Sequence, residues 1–199
     1  MKEQTTRFWM VRHAPVPEAV RELIYGHDDL PAVLDETVAS VTALAEALPR
    51  PAVLVTTTLR RSIETARAIV DAGYPAPEPI AVGGLAEQHF GDWQGLPQVE
   101  LVRHRRMPKP AFWQVAPEER PPGGESFVDV MARVGDALDG LIADHGGKDI
   151  VCVAHSGSIR AALGIALGLT PDRALAFRTE TLSLTRLDHV HGDGGEPRW

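Results

Sequence analysis

The chain has 199 residues, of which 44% are hydrophobic and 24% charged, and these values fit one globular domain over residues 1–199 and exclude a disordered chain. The net charge of −7 argues against nonspecific binding to nucleic acid or to an anionic membrane surface. It does not exclude a small phosphorylated substrate, because a local cluster of arginines outweighs more distant charges at the scale of a Debye length.

The amino-terminal residues are polar and are followed by no apolar stretch of signal-peptide length. No segment reaches the roughly 18 apolar residues of a membrane span. The single cysteine, Cys152, lies in an apolar run and cannot form an internal disulfide. We therefore expect a cytoplasmic protein, with no membrane partner and with Cys152 as a small buried hydrophobic residue.

The first half of the chain alternates short apolar runs with helical patterns. Residues 8–11 form a short apolar run typical of a buried strand, and 52–55 form a second. Apolar residues at helical spacing predict a helix over 35–48 and another over about 59–72, with threonines 56–58 as candidate N-caps. A third strand is predicted at 80–82.

The second half begins with a mixed segment in which residues 97–106 form a candidate helix. Ser126 and Asp129 have the spacing of a capping box, and the apolar pattern after them predicts a helix that ends at the glycine pair 146–147. A strand over 149–154 and a helix over 158–167 follow, and 174–190 is interpreted as two strands joined by a turn. Strands separated by helices predict a three-layer α/β/α sandwich with a mostly parallel central sheet.

Two histidines occupy equivalent places in this pattern. His13 and His155 each follow the carboxyl end of a buried strand, which is the edge where open α/β sheets bind ligands. Arg12 precedes the first histidine, and Arg60 and Arg61 begin the helix after the second strand. The N-termini of the adjoining helices add free N–H groups and a positive dipole end. Together these groups favour a site for a dianion.

Each of these features is also compatible with unrelated polar residues in loops. Arginines in the first turn of a helix even oppose the helix dipole, since cations are more stable at the other end. The shared position of all of them at strand ends favours a binding site.

Five segments resemble the motifs of the histidine phosphatase superfamily, which includes the cofactor-dependent phosphoglycerate mutases. They occur in the family order and span nearly the whole chain, and they are Val11–Pro15, Thr57–Ala66, Leu85–Gly95, Pro122–Ser126 and Val153–Arg160. The match is closer to the short bacterial branch that includes α-ribazole phosphatase. The resemblance implies the phosphoglycerate mutase-like version of the α/β/α fold.

The resemblance also implies a role for each matching residue. His13 would accept the phosphoryl group, and Glu87 would be the general acid. The phosphoryl group would be bound by Arg12, Arg61, His155 and Ser156. Arg60 falls at a variable position of the motif, so the phosphate role is assigned to Arg61. Guanidinium groups suit phosphate oxygens, and a neutral imidazole is a competent nucleophile near pH 7. We expect no cofactor and no metal, since no metal-ligand spacing is present.

The chain departs from the family motifs at several positions. Ala14 stands where a glycine is usual, so the backbone turn there must tolerate a Cβ. The following residues, 15–19, lack the asparagine that many members use as a further phosphate ligand. Thr57 replaces a serine, and Gln94 replaces a frequent glutamate.

Several other residues are candidates for substrate contact, although a purely structural role explains them as well. Tyr25 and His27 lie in the loop after the first strand, and the segment 96–122 includes Trp113. Trp93 is equally compatible with a pocket wall and with the edge of the core.

The leading hypothesis is a phosphatase that acts on a small phosphate ester through a phosphohistidine, with α-ribazole-5′-phosphate as one candidate substrate. The alternatives are a phosphoglycerate mutase and, from another class, a non-catalytic module that binds a phosphorylated ligand. The short region between Glu87 and His155 favours a phosphatase over a mutase, which has longer insertions there. The leaving group and the oligomeric state are left open.

Overall fold

A five-stranded sheet forms the centre of the computed structural model, which describes residues 4–191 and 198–199. Its strands are β1 (Gln4–Arg12), β2 (Val53–Thr56), β3 (Ile80–Ala81), β4 (Asp149–Ala154) and β5 (Leu184–His191). They lie in the order β3-β2-β4-β1-β5, and β5 runs antiparallel to β1 while the other neighbours are parallel. The prediction of a mostly parallel sheet is therefore confirmed.

Helices cover both faces of the sheet. They are α1 (Val38–Ala47), α2 (Arg60–Asp71), α3 (Leu101–His104), α4 (Phe127–His145), α5 (Ser156–Ala166) and α6 (Pro171–Ala174). Short 3₁₀ turns lie at Glu18–Val20, Gly83–Leu85, Gly91–Trp93 and Gln98–Glu100.

Alternation along the central strands creates the two helical layers. Met10 and Cys152 belong to one buried cluster with residues of α4 and α5, whereas Val11 and Val151 belong to another with residues of α1 and α2. Burial of each large apolar side chain contributes about 1.5–3 kcal/mol. Cys152 is fully buried, as predicted, and burial raises the pKa of its thiol to about 12.

The predicted capping box is present at the start of α4. Asp129 N–H donates to Ser126 Oγ, and the Asp129 carboxylate accepts the Ser126 N–H at 2.7 Å. These two bonds satisfy N–H groups that the first helical turn leaves without partners, and they fix where the helix begins.

One element prediction is wrong, and another is confirmed only in part. The segment 174–190 contains one strand, β5, because Pro171 starts the short helix α6 and the chain then runs irregularly, with Leu182 at φ +60°, before pairing with β1. The candidate helix over 97–106 is reduced to a 3₁₀ turn and the four residues of α3, which end before the prolines at 108 and 110.

The start of α2 also differs from the prediction. Its N-cap position is Leu59, and Thr57 instead directs its hydroxyl to a histidine described below. On β5, His189 is buried and packs edge-on against Trp199 with ring centroids 4.9 Å apart.

Among the residues that the structure describes, none of the helices combines the length and the apolar character that crossing a bilayer requires.

Candidate active site

The register of the sheet brings the two predicted histidines together. Arg12 at the end of β1 pairs with Ala154 at the end of β4, so the next residues of these parallel strands, His13 and His155, emerge side by side. Their ring centroids are 5.1 Å apart, with an angle of 53° between the rings. Both residues are at most 1% exposed. This separation suits a pair of imidazoles that share one phosphoryl group.

The orientation of the His13 ring is fixed by the residue that follows it. His13 Nδ1 lies 2.6 Å from the Ala14 carbonyl oxygen, which can only accept, so Nδ1 carries the ring proton. The Ala14 N–H in turn donates to Thr65 Oγ1 at 2.9 Å. His13 Nε2 is buried and has no hydrogen-bond partner among the described residues. The ring therefore presents an unprotonated nitrogen, as a nucleophile must.

The alanine in place of the motif glycine is explained by this geometry. Within residues 4–191 and 198–199, Leu182 is the only residue other than glycine with a positive φ. Ala14 therefore has an ordinary backbone conformation, and its Cβ causes no strain there.

The surroundings keep His13 neutral. Burial, together with the positive charges of Arg61 and Arg12, holds the pKa of His13 well below 6.5, and the bond to the Ala14 carbonyl offsets only part of this effect. A group that is neutral at pH 7 keeps its lone pair for attack on phosphorus.

His155 is held by the residue that follows β2 and by a residue of α5. Its Nε2 lies 2.8 Å from Thr57 Oγ1, and its backbone N–H donates to Ser158 Oγ at 3.1 Å. The Thr57 hydroxyl accepts the Leu59 N–H at 3.3 Å, and among the described residues its own proton has no acceptor other than His155 Nε2, which favours the ring tautomer with the proton on Nδ1. Nδ1 has no partner within the described chain and is free to donate. Burial lowers the pKa of His155 as well, with a further contribution from Arg61.

Arg61 is fully buried at the start of α2. Its Nη2 donates to the Gly26 carbonyl at 2.7 Å, its Nη1 donates to the Asp28 carbonyl at 2.8 Å, and Tyr25 lies against the guanidinium at 5.1 Å. These bonds use two of its five N–H donors. Arg60, by contrast, is exposed and pairs with Glu64 at 2.5 Å. The structure thus turns Arg61 inward and Arg60 outward.

Arg12 and Ser156 meet at the loop that precedes β5. Arg12 Nη1 donates to the Thr179 carbonyl at 2.6 Å, and its buried Nε has no partner among the described residues. Ser156 Oγ lies 2.9 Å from Thr179 Oγ1. Thr179 was not identified from the sequence, since its segment was interpreted as a strand. It connects two of the predicted phosphate ligands.

Glu87 binds the N-terminus of α5. Its Oε1 accepts the Gly157 N–H and the Gln88 N–H, each at 3.0 Å. A Cβ on Gly157 would lie only 2.2 Å from that oxygen, so a larger residue at this position would displace the Glu87 carboxylate. The predicted general acid is therefore anchored to the same helix that follows His155.

An arginine that the sequence did not single out holds the loop of Glu87. Arg133, on α4, donates to the carbonyls of Gly84, Ala86 and Glu87 at 2.9–3.0 Å. It also forms a two-pronged ion pair with Glu125, whose oxygens lie 2.7 and 2.9 Å from the guanidinium. The three carbonyls lie 46–49 residues away in the sequence, so no local pattern could have revealed this role.

Gln94 connects the loop of Glu87 to the loop that holds Arg61. Its side-chain oxygen accepts the His27 N–H at 2.9 Å, and its amide nitrogen donates to Asp28 Oδ1 at 2.7 Å. His27 itself donates from Nε2 to the Glu87 carbonyl at 2.6 Å. His27 therefore helps to hold these two loops together, and whether it contacts a substrate stays a prediction.

A cavity of about 450 Å³ adjoins these residues. Its polar lining includes Arg12, Glu87 and Ser156, and its aromatic lining includes Tyr25, Phe90 and Trp113. Gln98 and Trp113 are lining residues from the segment 96–122, whereas Trp93 is buried in an apolar cluster. His13, His155 and Arg61 are nearly inaccessible, so the groups that cover them must shift for a phosphate to reach His13 Nε2.

Within the described part of the chain, no group of three or more histidine, cysteine, aspartate or glutamate side chains is arranged to hold a metal ion.

Comparison with known proteins agrees with this geometry. A family model described as histidine phosphatase superfamily (branch 1) matches residues 8–199. The metal-independent phosphoserine phosphatase of Arabidopsis thaliana is 31% identical over 166 residues, which are 81% of this chain and 68% of the relative. A glucosyl-3-phosphoglycerate phosphatase of Mycolicibacterium vanbaalenii is 33% identical over 180 residues, which are 83% of this chain and 77% of the relative.

A solved structure shares the whole architecture. The native mycobacterial glucosyl-3-phosphoglycerate phosphatase superposes with a TM-score of 0.75 at 26% identity, covering 94% of this chain and 91% of that chain. The predicted fold and the predicted phosphatase class are therefore confirmed. Since the family model spans nearly all of the sequence, this chain belongs to the histidine phosphatase superfamily, branch 1.

Proposed function

We propose that the protein hydrolyses the phosphomonoester of a small metabolite in two steps, with His13 as the nucleophile and Glu87 as the general acid. The observation that carries this proposal is the state of His13, a neutral ring whose proton is held on Nδ1 by the Ala14 carbonyl and whose Nε2 has no partner among the described residues.

In the first step, His13 Nε2 attacks phosphorus and the bond from phosphorus to the ester oxygen breaks. Glu87 gives a proton to the departing oxygen, which leaves as an alcohol. In the second step, Glu87 takes a proton from water, the water oxygen bonds to phosphorus, and the N–P bond breaks. Inorganic phosphate leaves and His13 returns to its neutral state.

The groups around His13 suit the charge of the transferred phosphoryl group. Arg61 keeps three N–H donors after its two carbonyl bonds, and the free Nδ1–H of His155 supplies another. Arg12 and Ser156 line the adjoining cavity. Phosphoryl transfer depends mainly on positioning and on charge stabilisation, and these donors provide both.

Two relatives supply the range of substrates to test. By name, they act on phosphoserine and on glucosyl-3-phosphoglycerate, which are small phosphorylated metabolites. We propose the same general class for this chain and retain α-ribazole-5′-phosphate as one candidate. A cytoplasmic location and activity without a metal also stay predictions.

The nucleophile is tested by hydrolysis of 4-nitrophenyl phosphate in the presence of excess chelator. His13→Ala should lower kcat by about 10³-fold or more, as removal of a covalent nucleophile does. His104→Ala is the matched control, since His104 is exposed on α3 and should leave the rate unchanged. A His13→Ala enzyme within tenfold of the wild type would refute the assignment.

The intermediate is tested by rapid quench with a ³²P-labelled ester. We expect an acid-labile, base-stable phosphoryl adduct on the wild type and none on His13→Ala. Release of inorganic phosphate supports a phosphatase. Transfer of the phosphoryl group between positions of a sugar acid, dependent on a bisphosphorylated primer, would instead indicate a mutase, and a protein that binds phosphate esters without turnover would be a binding module.

A further inference from the structure

Arg160 is a cation in the cavity that the proposed chemistry does not use. It lies on α5, three residues after Gly157, and so projects from the same side of the helix as the residue that binds Glu87. Side chains on a helix lean toward its N-terminus, and Arg160 accordingly lines the same cavity as Arg12 and Glu87. Its guanidinium is therefore close to the general acid.

Two contacts hold the Arg160 guanidinium in place. Its Nε donates to the Phe177 carbonyl at 2.7 Å, and its carbon Cζ lies 5.1 Å from the centre of the Trp113 ring. A planar guanidinium that is bonded through Nε and stacked on an indole has little remaining freedom. The group is thus positioned in advance of any ligand.

The outer nitrogens of Arg160 are unused. Neither Nη1 nor Nη2 donates to another of the described residues, and no carboxylate among those residues forms an ion pair with Arg160. Arg133, by comparison, is bonded to Glu125 and to three carbonyls, and Arg178 at the exposed rim is paired with Glu180. Arg160 therefore offers a two-pronged donor edge that no carboxylate of the described residues contacts directly.

The position of Arg160 relative to Glu87 indicates which part of a substrate would contact the Arg160 guanidinium. The general acid protonates the ester oxygen, so groups that lie beside Glu87 in the cavity face the leaving group. The transferred phosphoryl group is bound instead by Arg61 and the two histidines. A half-buried guanidinium whose outer nitrogens have no partner among the described residues is complementary to a carboxylate or a phosphate.

We infer that Arg160 forms a subsite for a second anionic group, an inference that rests on the proposed phosphatase activity. The preferred substrates are then phosphomonoesters whose leaving group carries a carboxylate or a further phosphate. Trp113 and the Phe177 carbonyl position the guanidinium. Arg160 sets specificity and takes no part in the transfer of the phosphoryl group.

The test compares three esters that differ in one substituent: 3-phosphoglycerate with a carboxylate, glycerol 3-phosphate with a neutral hydroxymethyl group, and glycerol 1,3-bisphosphate with a second phosphate. Phosphate release should give the wild type a kcat/KM at least about tenfold higher for one of the anionic esters than for glycerol 3-phosphate. Arg160→Met should remove that preference while keeping kcat/KM for glycerol 3-phosphate within about threefold of the wild type.

Arg178→Met is the control, since Arg178 lines the same cavity but is exposed and paired. It should keep the preference for the anionic ester. A wild type that hydrolyses all three esters equally would overturn the subsite, and this result does not depend on whether any variant folds. A uniform loss in Arg160→Met would also overturn it, because it would indicate a purely structural role. If the wild type hydrolyses none of the esters and no 4-nitrophenyl phosphate, the proposed phosphatase activity itself fails.

Discussion

The hydrogen bond between Gln94 and Asp28 connects the loop of Glu87 to the loop that holds Arg61, and this connection can be tested by substitution. Asp28 accepts from the Gln94 amide through its carboxylate and from Arg61 through its backbone carbonyl. Replacing the amide by a carboxylate in Gln94→Glu puts two acids at a contact that now measures 2.7 Å. The repulsion should displace Asp28 and, with it, the support of Arg61.

The size of the effect follows from the type of bond. A hydrogen bond to a charged group contributes about 1.5–3 kcal/mol in a partly buried setting. If the displacement of Arg61 is felt fully in the transition state, kcat/KM falls by about 10- to 100-fold, since each 1.36 kcal/mol is a factor of ten. Folding should be retained, because both side chains are only half-buried.

The assay measures kcat/KM for 4-nitrophenyl phosphate at pH 7 in Gln94→Glu, in Asp28→Asn, and in the double variant. In the double variant the asparagine amide can donate to the glutamate, which restores the bond with donor and acceptor exchanged. We expect the double variant to recover at least about tenfold of the loss in Gln94→Glu. If Gln94→Glu retains the wild-type rate, or if the exchange restores nothing, the proposed connection between these loops is wrong.

Two further predictions follow from burial and from close packing. Because the pKa values of His13 and His155 are well below 6.5 in the folded protein, the unfolded chain alone takes up their protons as the pH falls below 6.5. The free energy of unfolding, measured in urea at pH 7, 6 and 5, should fall by up to about 2.7 kcal/mol per pH unit, and an unchanged value would contradict the neutral state of both rings. Gly157→Ala should lower kcat at least about tenfold, because its Cβ would displace the Glu87 carboxylate. Gly140→Ala is the control, since a Cβ at this position on α4 meets open space. It should leave kcat unchanged and add about 0.5–1 kcal/mol to the free energy of unfolding. Equal rates in the two alanine variants would rule out this role of Gly157.

Local sequence patterns were sufficient where burial or capping determines an element. The run 149–154 is almost continuously apolar, as a strand covered on both faces must be, and β4 has those bounds. Ser126 and Asp129 start α4 through bonds between near neighbours. The placement of His13 beside His155 was predictable too, since parallel strands present their carboxyl ends at one edge.

Local sequence patterns were not sufficient to predict an element or a side-chain role that depends on a partner distant in the sequence. The residues 174–190 have strand-like composition, but bonds to the backbone of β1 begin only at Leu182, and the strand itself begins at Leu184. The carbonyl groups that Arg133 binds lie about 46–49 residues away. The Arg160 guanidinium is positioned by Trp113 and by the Phe177 carbonyl. Backbone carbonyls carry no side-chain identity, so no motif marks them.

Burial of the site has two consequences that act together. It removes water from Arg61 and so strengthens the attraction between its charge and an incoming phosphate, and it also keeps the His13 ring neutral and nucleophilic. A charge without water must be compensated, and the carbonyls of Gly26 and Asp28 provide that compensation in the free protein. Those carbonyls belong to the loop that Gln94 connects to the segment of Glu87, so the bonds of Gln94 also support the position of Arg61.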